Sequence, residues 1–141
     1  MKRYLLADDD PDDRELFDDA LKAIDPSIEC YFAVDGSEVI NKLTNGDVRD
    51  PDAIFLDINM PQVNGWQCLH WLKKNDAFRN IPVIMYSTST SRNNQTIAAD
   101  FGAVGFFAKP MEFAGLVKVL SVVIAKPASD LNDLDAYFRT L

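Results

Sequence analysis

The sequence is short of the residues on which several kinds of chemistry depend. It has two cysteines and one histidine. Cys30 and Cys68 stand far apart and in no metal-ligand spacing, which points to two reduced thiols of a cytoplasmic protein and not to a disulfide framework or a thiolate metal site. His70 lies beside Trp71 with no companion ligand, so helix packing accounts for it and a metal role has nothing to build on. Trp66 and Trp71 are read as helix packing as well. No apolar run approaches the ~20 residues that span a bilayer. The opening residues, 1–7, run into a block of acids before reaching signal-peptide length. Positive charge is also scarce: the net charge is −8, which argues against nucleic acid as a partner. No glycine-rich loop follows the first apolar run. Asp8-Asp9-Asp10 stands in that place and would repel a phosphate, which disfavours a nucleotide or flavin binder.

What is present is enough for one globular domain. A chain of 141 residues that is 48% hydrophobic can bury a proper core but is too short for two ordinary domains. Its centre is Ile54-Phe55-Leu56-Asp57-Ile58-Asn59-Met60-Pro61, an apolar run bounded by turn residues that reads as a buried strand ending in a carboxylate. Residues 4–7 form an earlier strand. Asp10 and Pro11 then have the chemistry of an N-cap and a first helical residue, with Asp12 and Asp13 favourable in the first turn. Leu16, Phe17, Ala20, Leu21 and Ile24 give that helix one apolar face, and Pro26 stops it.

The pattern repeats. Residues 30–34 read as a strand, and Ser37 is expected to cap a helix through Val39, Ile40 and Leu43 that ends near Asn45-Gly46. Asn64-Gly65 opens a helix carrying Trp66, Leu69 and Leu72. Residues 81–86 form a fourth strand, 92–101 a weaker helix, 105–108 a fifth strand and 113–125 a strongly apolar helix. Five strand–helix alternations predict an α/β fold, a doubly wound five-stranded parallel sheet in the flavodoxin-like order 2-1-3-4-5 with helices on both faces.

On that architecture the strand ends carry Asp8-Asp9, Asp57, Ser87 and Lys109. In a doubly wound sheet these ends open on one edge. Two carboxylates ~5 Å apart repel by roughly 3 kcal/mol at an effective dielectric of 20. Three together require a proton or a cation among them. Oxygen ligands, few in number, suit a hard cation that keeps some waters, which points to Mg²⁺. An aspartate so placed can act as nucleophile on a phosphoryl group, with Lys109 as a point charge and the Ser87 hydroxyl as a donor.

These residues carry a resemblance to the response-regulator receiver domain of two-component signalling. The matching stretches are Leu5 to Asp10, Leu56 to Pro61 with Asn64-Gly65, Pro82 to Ser87, and Gly102-Ala103 through Phe106 to Lys109-Pro110, together covering residues 3 to about 125. The resemblance implies that Asp57 accepts a phosphoryl group from a sensor histidine kinase or phosphotransfer protein. It implies Mg²⁺ held by Asp9 and Asp57, by Asp8 largely through water, and by the Asn59 backbone carbonyl. Ser87 and Phe106 would be the switch pair, Lys109 would contact the phosphoryl group, and Lys109-Pro110 would be a cis peptide. Phosphorylation would shift a pre-existing equilibrium. Ser87 stands where threonine is frequent in the family and Phe106 where tyrosine is frequent, which bears on the size of the response and not on phosphorylation.

The expected organisation is a receiver over 1–125 and an extension over 126–141 with no output domain. Such a chain would act by binding a downstream protein or by relaying phosphate, and not as an enzyme with a separate substrate. Leu131, Leu134, Phe138 and Leu141 recur at helical spacing in the extension. Packing on its own domain or disorder is expected there, with a homodimer through the last helix or the tail an open alternative. Two rival readings remain. A phosphate-hydrolysing enzyme of the haloacid dehalogenase type needs a second aspartate where Asn59 stands. A phosphorylation-independent binding module is countered by the intact set of Asp8, Asp9, Asp57, Ser87 and Lys109.

Overall fold

Short apolar runs become strands and amphipathic runs become helices in strict alternation. The computed structural model describes residues 2–88 and 92–127 together with Leu131, Leu134 and Phe138. The elements are β1 (Arg3–Ala7), α1 (Pro11–Ile24), β2 (Glu29–Ala33), α2 (Gly36–Thr44), β3 (Ala53–Asp57), α3 (Gly65–Lys74), β4 (Val83–Ser87), α4 (Arg92–Asp100), β5 (Gly105–Ala108) and α5 (Phe113–Ile124). All strand pairs are parallel and the sheet order is β2-β1-β3-β4-β5, as the alternation predicts.

Every residue of β3 and β4 is buried, which follows from helices covering both faces of a parallel sheet. Alternate side chains divide between two cores. Tyr4, Leu6, Phe55, Ile84, Tyr86 and Phe107 pack with residues of α1 and α5. Leu5, Ala7, Ile54, Leu56, Met85 and Phe106 pack with residues of α2, α3 and α4.

Helix starts follow side-chain chemistry. Asp10 caps α1 by accepting from the N–H groups of Asp12 and Asp13, with Pro11 in the first turn. Asn64 and Gln67 form a reciprocal capping box at α3. At α2 the cap is Asp35, not Ser37 as the sequence predicts. The Asp35 carboxylate accepts from Glu38 N at 2.8 Å, and its extended backbone lets the helix begin at Gly36, so Ser37 already lies inside the first turn.

The described residues of the tail pack on the domain. Leu131 and Leu134 are buried, the Leu134 N–H donates to the Val104 carbonyl at 2.9 Å, and Phe138 packs against the α1–α5 core. Gly105 makes room for this: a Cβ there would stand 2.9 Å from Leu134 Cβ and 3.1 Å from the Phe138 ring. Leu141, the fourth residue of the apolar pattern, lies outside the described residues.

Candidate functional site

The parallel register levels the strand ends. Ala7 pairs with Leu56, Asp57 with Tyr86 and Ser87 with Ala108, so Asp8, Asp57, Ser87 and Lys109 emerge along one edge. The Lys109 N–H donates to the Ser87 carbonyl at 2.8 Å. Gly65 lets α3 start hard against this edge: its N–H donates to the Ile58 carbonyl at 3.0 Å, and a Cβ at that position would meet the Asp57 carbonyl oxygen at 2.2 Å.

Asp8, Asp57 and Ser87 are buried while Asp9 is exposed. Carboxylate oxygens of Asp8, Asp9 and Asp57 lie within 4.8 Å of one another. Beside Asp8 and Asp57 stands Lys109, whose Nζ donates to Asp8 Oδ2 at 2.9 Å, Asp13 Oδ2 at 2.9 Å and Asp57 Oδ2 at 3.1 Å. Asp8 is held further by the Asp10 N–H, 3.0 Å from Oδ1, and by the Tyr86 hydroxyl, which donates to Oδ2. The Lys109 ammonium also stands 4.7 Å from the centroid of the Tyr86 ring, a favourable cation–π placement.

Burial pushes the Asp57 carboxyl up to about 6, with Lys109 opposing that rise and Asp8 adding to it, while the Asn59 backbone N–H donates to the carboxylate. For Lys109, burial works against the charged form, but hydrogen bonds to Asp8 and Asp13 outweigh it and hold its pKa above the ordinary value. Burial first, then the Asp8 charge and hydrogen bond, raise the Tyr86 hydroxyl far above its usual range. Tyr86 is therefore a fixed neutral donor at physiological pH.

Phe106 is already buried, at 2% exposure, on the α2–α4 side of the sheet. Lys109-Pro110 departs from the sequence expectation. No peptide bond among the described residues is cis, so this bond is trans, the isomer an X–Pro amide favours by ~0.5–1 kcal/mol, and Lys109 reaches all three carboxylates from it. His70 is exposed. Trp66 packs edge-on against Phe101 and Trp71 stacks on Phe78, as helix packing requires.

Two residues of the site escape sequence reasoning. Asp13 is fully accounted for as a first-turn acid of α1, yet it pairs with a lysine 96 residues away. Tyr86 reads as one more apolar strand residue. Its one signal is a polar tip immediately before Ser87, after three residues, Val83 to Met85, without a hydroxyl.

Comparison with known proteins agrees with the geometry. The pattern that defines the response regulator receiver domain matches residues 4–121. The chain belongs to this family. It is 33% identical over 103 residues to the probable transcriptional regulator ycf29 of Pyropia yezoensis, covering 73% of this chain and 45% of that protein. It is 27% identical to Protein PilH of Pseudomonas aeruginosa, covering 89% of this chain and 99% of that one. The Mn²⁺-bound form of response regulator Rcp1 shares the fold with a TM-score of 0.78 at 23% identity, covering 89% of this receiver and 93% of that chain. The receiver spans about half the length, or less, of the first curated relatives it matches. Receivers are signalling modules of two-component systems, phosphorylated by histidine kinases or phosphotransfer proteins and without a catalytic activity directed at other substrates. Among the described residues no helix is long and apolar enough to cross a membrane.

Proposed function

We propose that this receiver is a phosphorylation-dependent response regulator whose phosphoacceptor is Asp57. The observation that carries the reading is the cluster itself: a buried strand-end carboxylate within 4.8 Å of two others, with one ammonium shared between Asp57 and Asp8. Carboxylates at that spacing repel by roughly 3 kcal/mol at an effective dielectric of 20. Lys109 offsets this only in part, because Asp13 also draws on it.

The donor set fits Mg²⁺, being all oxygen and carrying excess negative charge. Asp9 and Asp57 would hold the ion directly, Asp8 largely through water and Asn59 through its backbone carbonyl. When bound, the ion neutralises the carboxylates and the charge on the transferring phosphoryl oxygens. The Mn²⁺-bound state of the structurally similar Rcp1 supports a divalent cation here.

Asp57 then acts as nucleophile. A carboxylate oxygen forms a bond to phosphorus as the phosphorus–nitrogen bond of the donor phosphohistidine breaks, and the imidazole keeps the electron pair. Lys109 places its ammonium on a phosphoryl oxygen. The Ser87 hydroxyl donates to another, and the movement is accommodated by repacking of Phe106. The phosphorylated population is read out by a downstream protein or by onward phosphotransfer, with a homodimer open as one form of readout. Residues 1–125 are the receiver and 126–141 an extension, of which Leu131, Leu134 and Phe138 pack on the α1–α5 core. A cytoplasmic site of action accords with the two free thiols.

The test is intact mass after incubation with a small acyl phosphate, with and without Mg²⁺, beside Asp57→Asn. One phosphoryl adduct that requires both Mg²⁺ and Asp57 is expected. No adduct from a folded chain would instead favour phosphorylation-independent binding.

A further inference from the structure

The outer strands of a sheet present backbone groups on which a further strand can pair. Here those strands are β2 and β5. The tail lies against β5, with the Leu134 N–H on the Val104 carbonyl. In the sheet β2 pairs with β1 alone. Residues 29–32 are half-buried, where β3 and β4 are buried throughout.

Parallel pairing turns alternate residues of β2 toward β1. Glu29 donates its N–H to the Lys2 carbonyl, and the Ala33 carbonyl accepts from the Asp8 N–H. The backbone groups of Cys30 and Phe32 therefore face outward, and the Ile28 carbonyl continues that series. Two of these outward carbonyls are taken. The Lys22 ammonium donates to that of Ile28 and the Lys42 ammonium to that of Phe32. Lys22 stands in the last turn of α1 and Lys42 in the last turn of α2, helices that cover opposite faces of the sheet. The two lysines thus reach the edge from both sides. Glu38 holds Lys42 in place at 3.0 Å.

A cation in the last turn is favourable against the helix dipole, but an ammonium left in water serves the dipole as well. The dipole does not account for two lysines from different helices ending on outward carbonyls of one edge. Two copies of β2 laid antiparallel about Cys30 would set Ile28 of one opposite Phe32 of the other. The hydrogen bonds flanking the central pair would need the carbonyls that Lys22 and Lys42 occupy.

We propose that Lys22 and Lys42 bar the β2 edge to strand addition by a second copy of the chain. Pairing there requires each ammonium to give up its carbonyl and to be displaced or stripped of water, and burying an unpaired charge is costly. The inference is independent of which residue accepts a phosphoryl group.

The experiment is sedimentation velocity over a concentration series, in reducing buffer so that Cys30 forms no disulfide. It compares the parent, Lys22→Met with Lys42→Met, and Lys73→Met with Lys74→Met. The last pair removes the same charge, and Lys73 likewise caps carbonyls, those of Arg79 and Ile81, but ahead of an interior strand. The Lys22/Lys42 variant should associate at concentrations about tenfold or more below any at which the parent does, roughly the worth of two hydrogen bonds released for pairing. Its net charge, −8 in the parent, becomes more negative, which by itself opposes association. Hydrogen exchange on the associated form should show new protection at the Cys30 and Phe32 N–H groups, which non-specific aggregation does not single out. Lys42→Met alone, with one lysine kept, should give a smaller shift in the same direction. An unchanged association state in the Lys22/Lys42 variant overturns the proposal. So does association without protection at Cys30 and Phe32, or equal association in the Lys73/Lys74 variant.

Discussion

The ring of Phe138 meets that of Phe107 edge-on, with centroids 5.5 Å apart and planes at 63°. On its other side Phe107 stacks on Tyr86, at 5.5 Å and 27°, and Tyr86 underlies Lys109. A residue of the tail is thus two aromatic contacts from the acid cluster.

Phe138 and Gly105 share this contact, and both are open to test. Truncating the half-buried ring in Phe138→Ala should lower stability by about 1–2 kcal/mol, below the range for fully buried aromatics. Gly105→Ala drives a methyl into Leu134 and the Phe138 ring, and overpacking of this kind costs about 1–3 kcal/mol. Because the two sites touch, their effects should sum to more than the loss in the double variant. Urea unfolding of the three variants measures this, and strict additivity would contradict the described packing.

Lys109→Met should leave three carboxylates facing one another. Removing one partner of a buried charge network costs roughly 3 kcal/mol or more, so the variant should unfold at distinctly lower urea in the presence of a chelator. Saturating Mg²⁺ should recover most of that loss, since a ligand bound only to the folded state adds stability by mass action. A variant as stable as the parent without metal would show that the carboxylates do not depend on the lysine.

Tyr86→Phe keeps the ring on Phe107 and under Lys109 and removes only the hydroxyl bonded to Asp8. A hydrogen bond to a charged acceptor contributes about 1.5–3 kcal/mol, and relief of the buried hydroxyl offsets part of it, so a loss of about 1–2 kcal/mol at neutral pH is expected by calorimetry. No loss would mean that Asp8 is held adequately by Lys109 and the Asp10 N–H.

Asp57 gives a pH dependence of definite sign. Burial raises its pKa from 3.8 to about 6 in the folded chain. Between those values the folded state binds more protons than the unfolded one, so the contribution of Asp57 to stability falls as pH rises from about 4 to about 6 and stays lost above that. In metal-free buffer Asp57→Asn should therefore match the parent near pH 4 and exceed it by roughly 1–3 kcal/mol at pH 7. A difference that stays flat across this range, in unfolding followed at several pH values, would be the contrary result.

Much of the fold was legible because it is written in local signals. Asp10-Pro11 and Asn64-Gly65 start helices by satisfying N–H groups within three residues, and β3 announces its double-sided burial by an unbroken apolar run. The parallel order then brings the strand ends to one edge. The misplaced cap at α2 is a local competition between Asp35 and Ser37, two polar residues two positions apart, which composition alone does not resolve.

By itself the sequence determined the alternating sheet and helices, and with them which strand ends would meet. Hydrophobic period, turn residues and caps act over a few residues, and the handedness and parallel pairing of such a chain leave little further choice. The tertiary structure alone decided that Lys109 divides its ammonium among Asp8, Asp13 and Asp57, that Tyr86 turns its hydroxyl to Asp8, that the Lys109–Pro110 bond is trans, and that Leu131, Leu134 and Phe138 close over β5. Each of these depends on the distance between elements far apart in the chain, and ion pairs and ring contacts change over an ångström, a scale that no local pattern encodes.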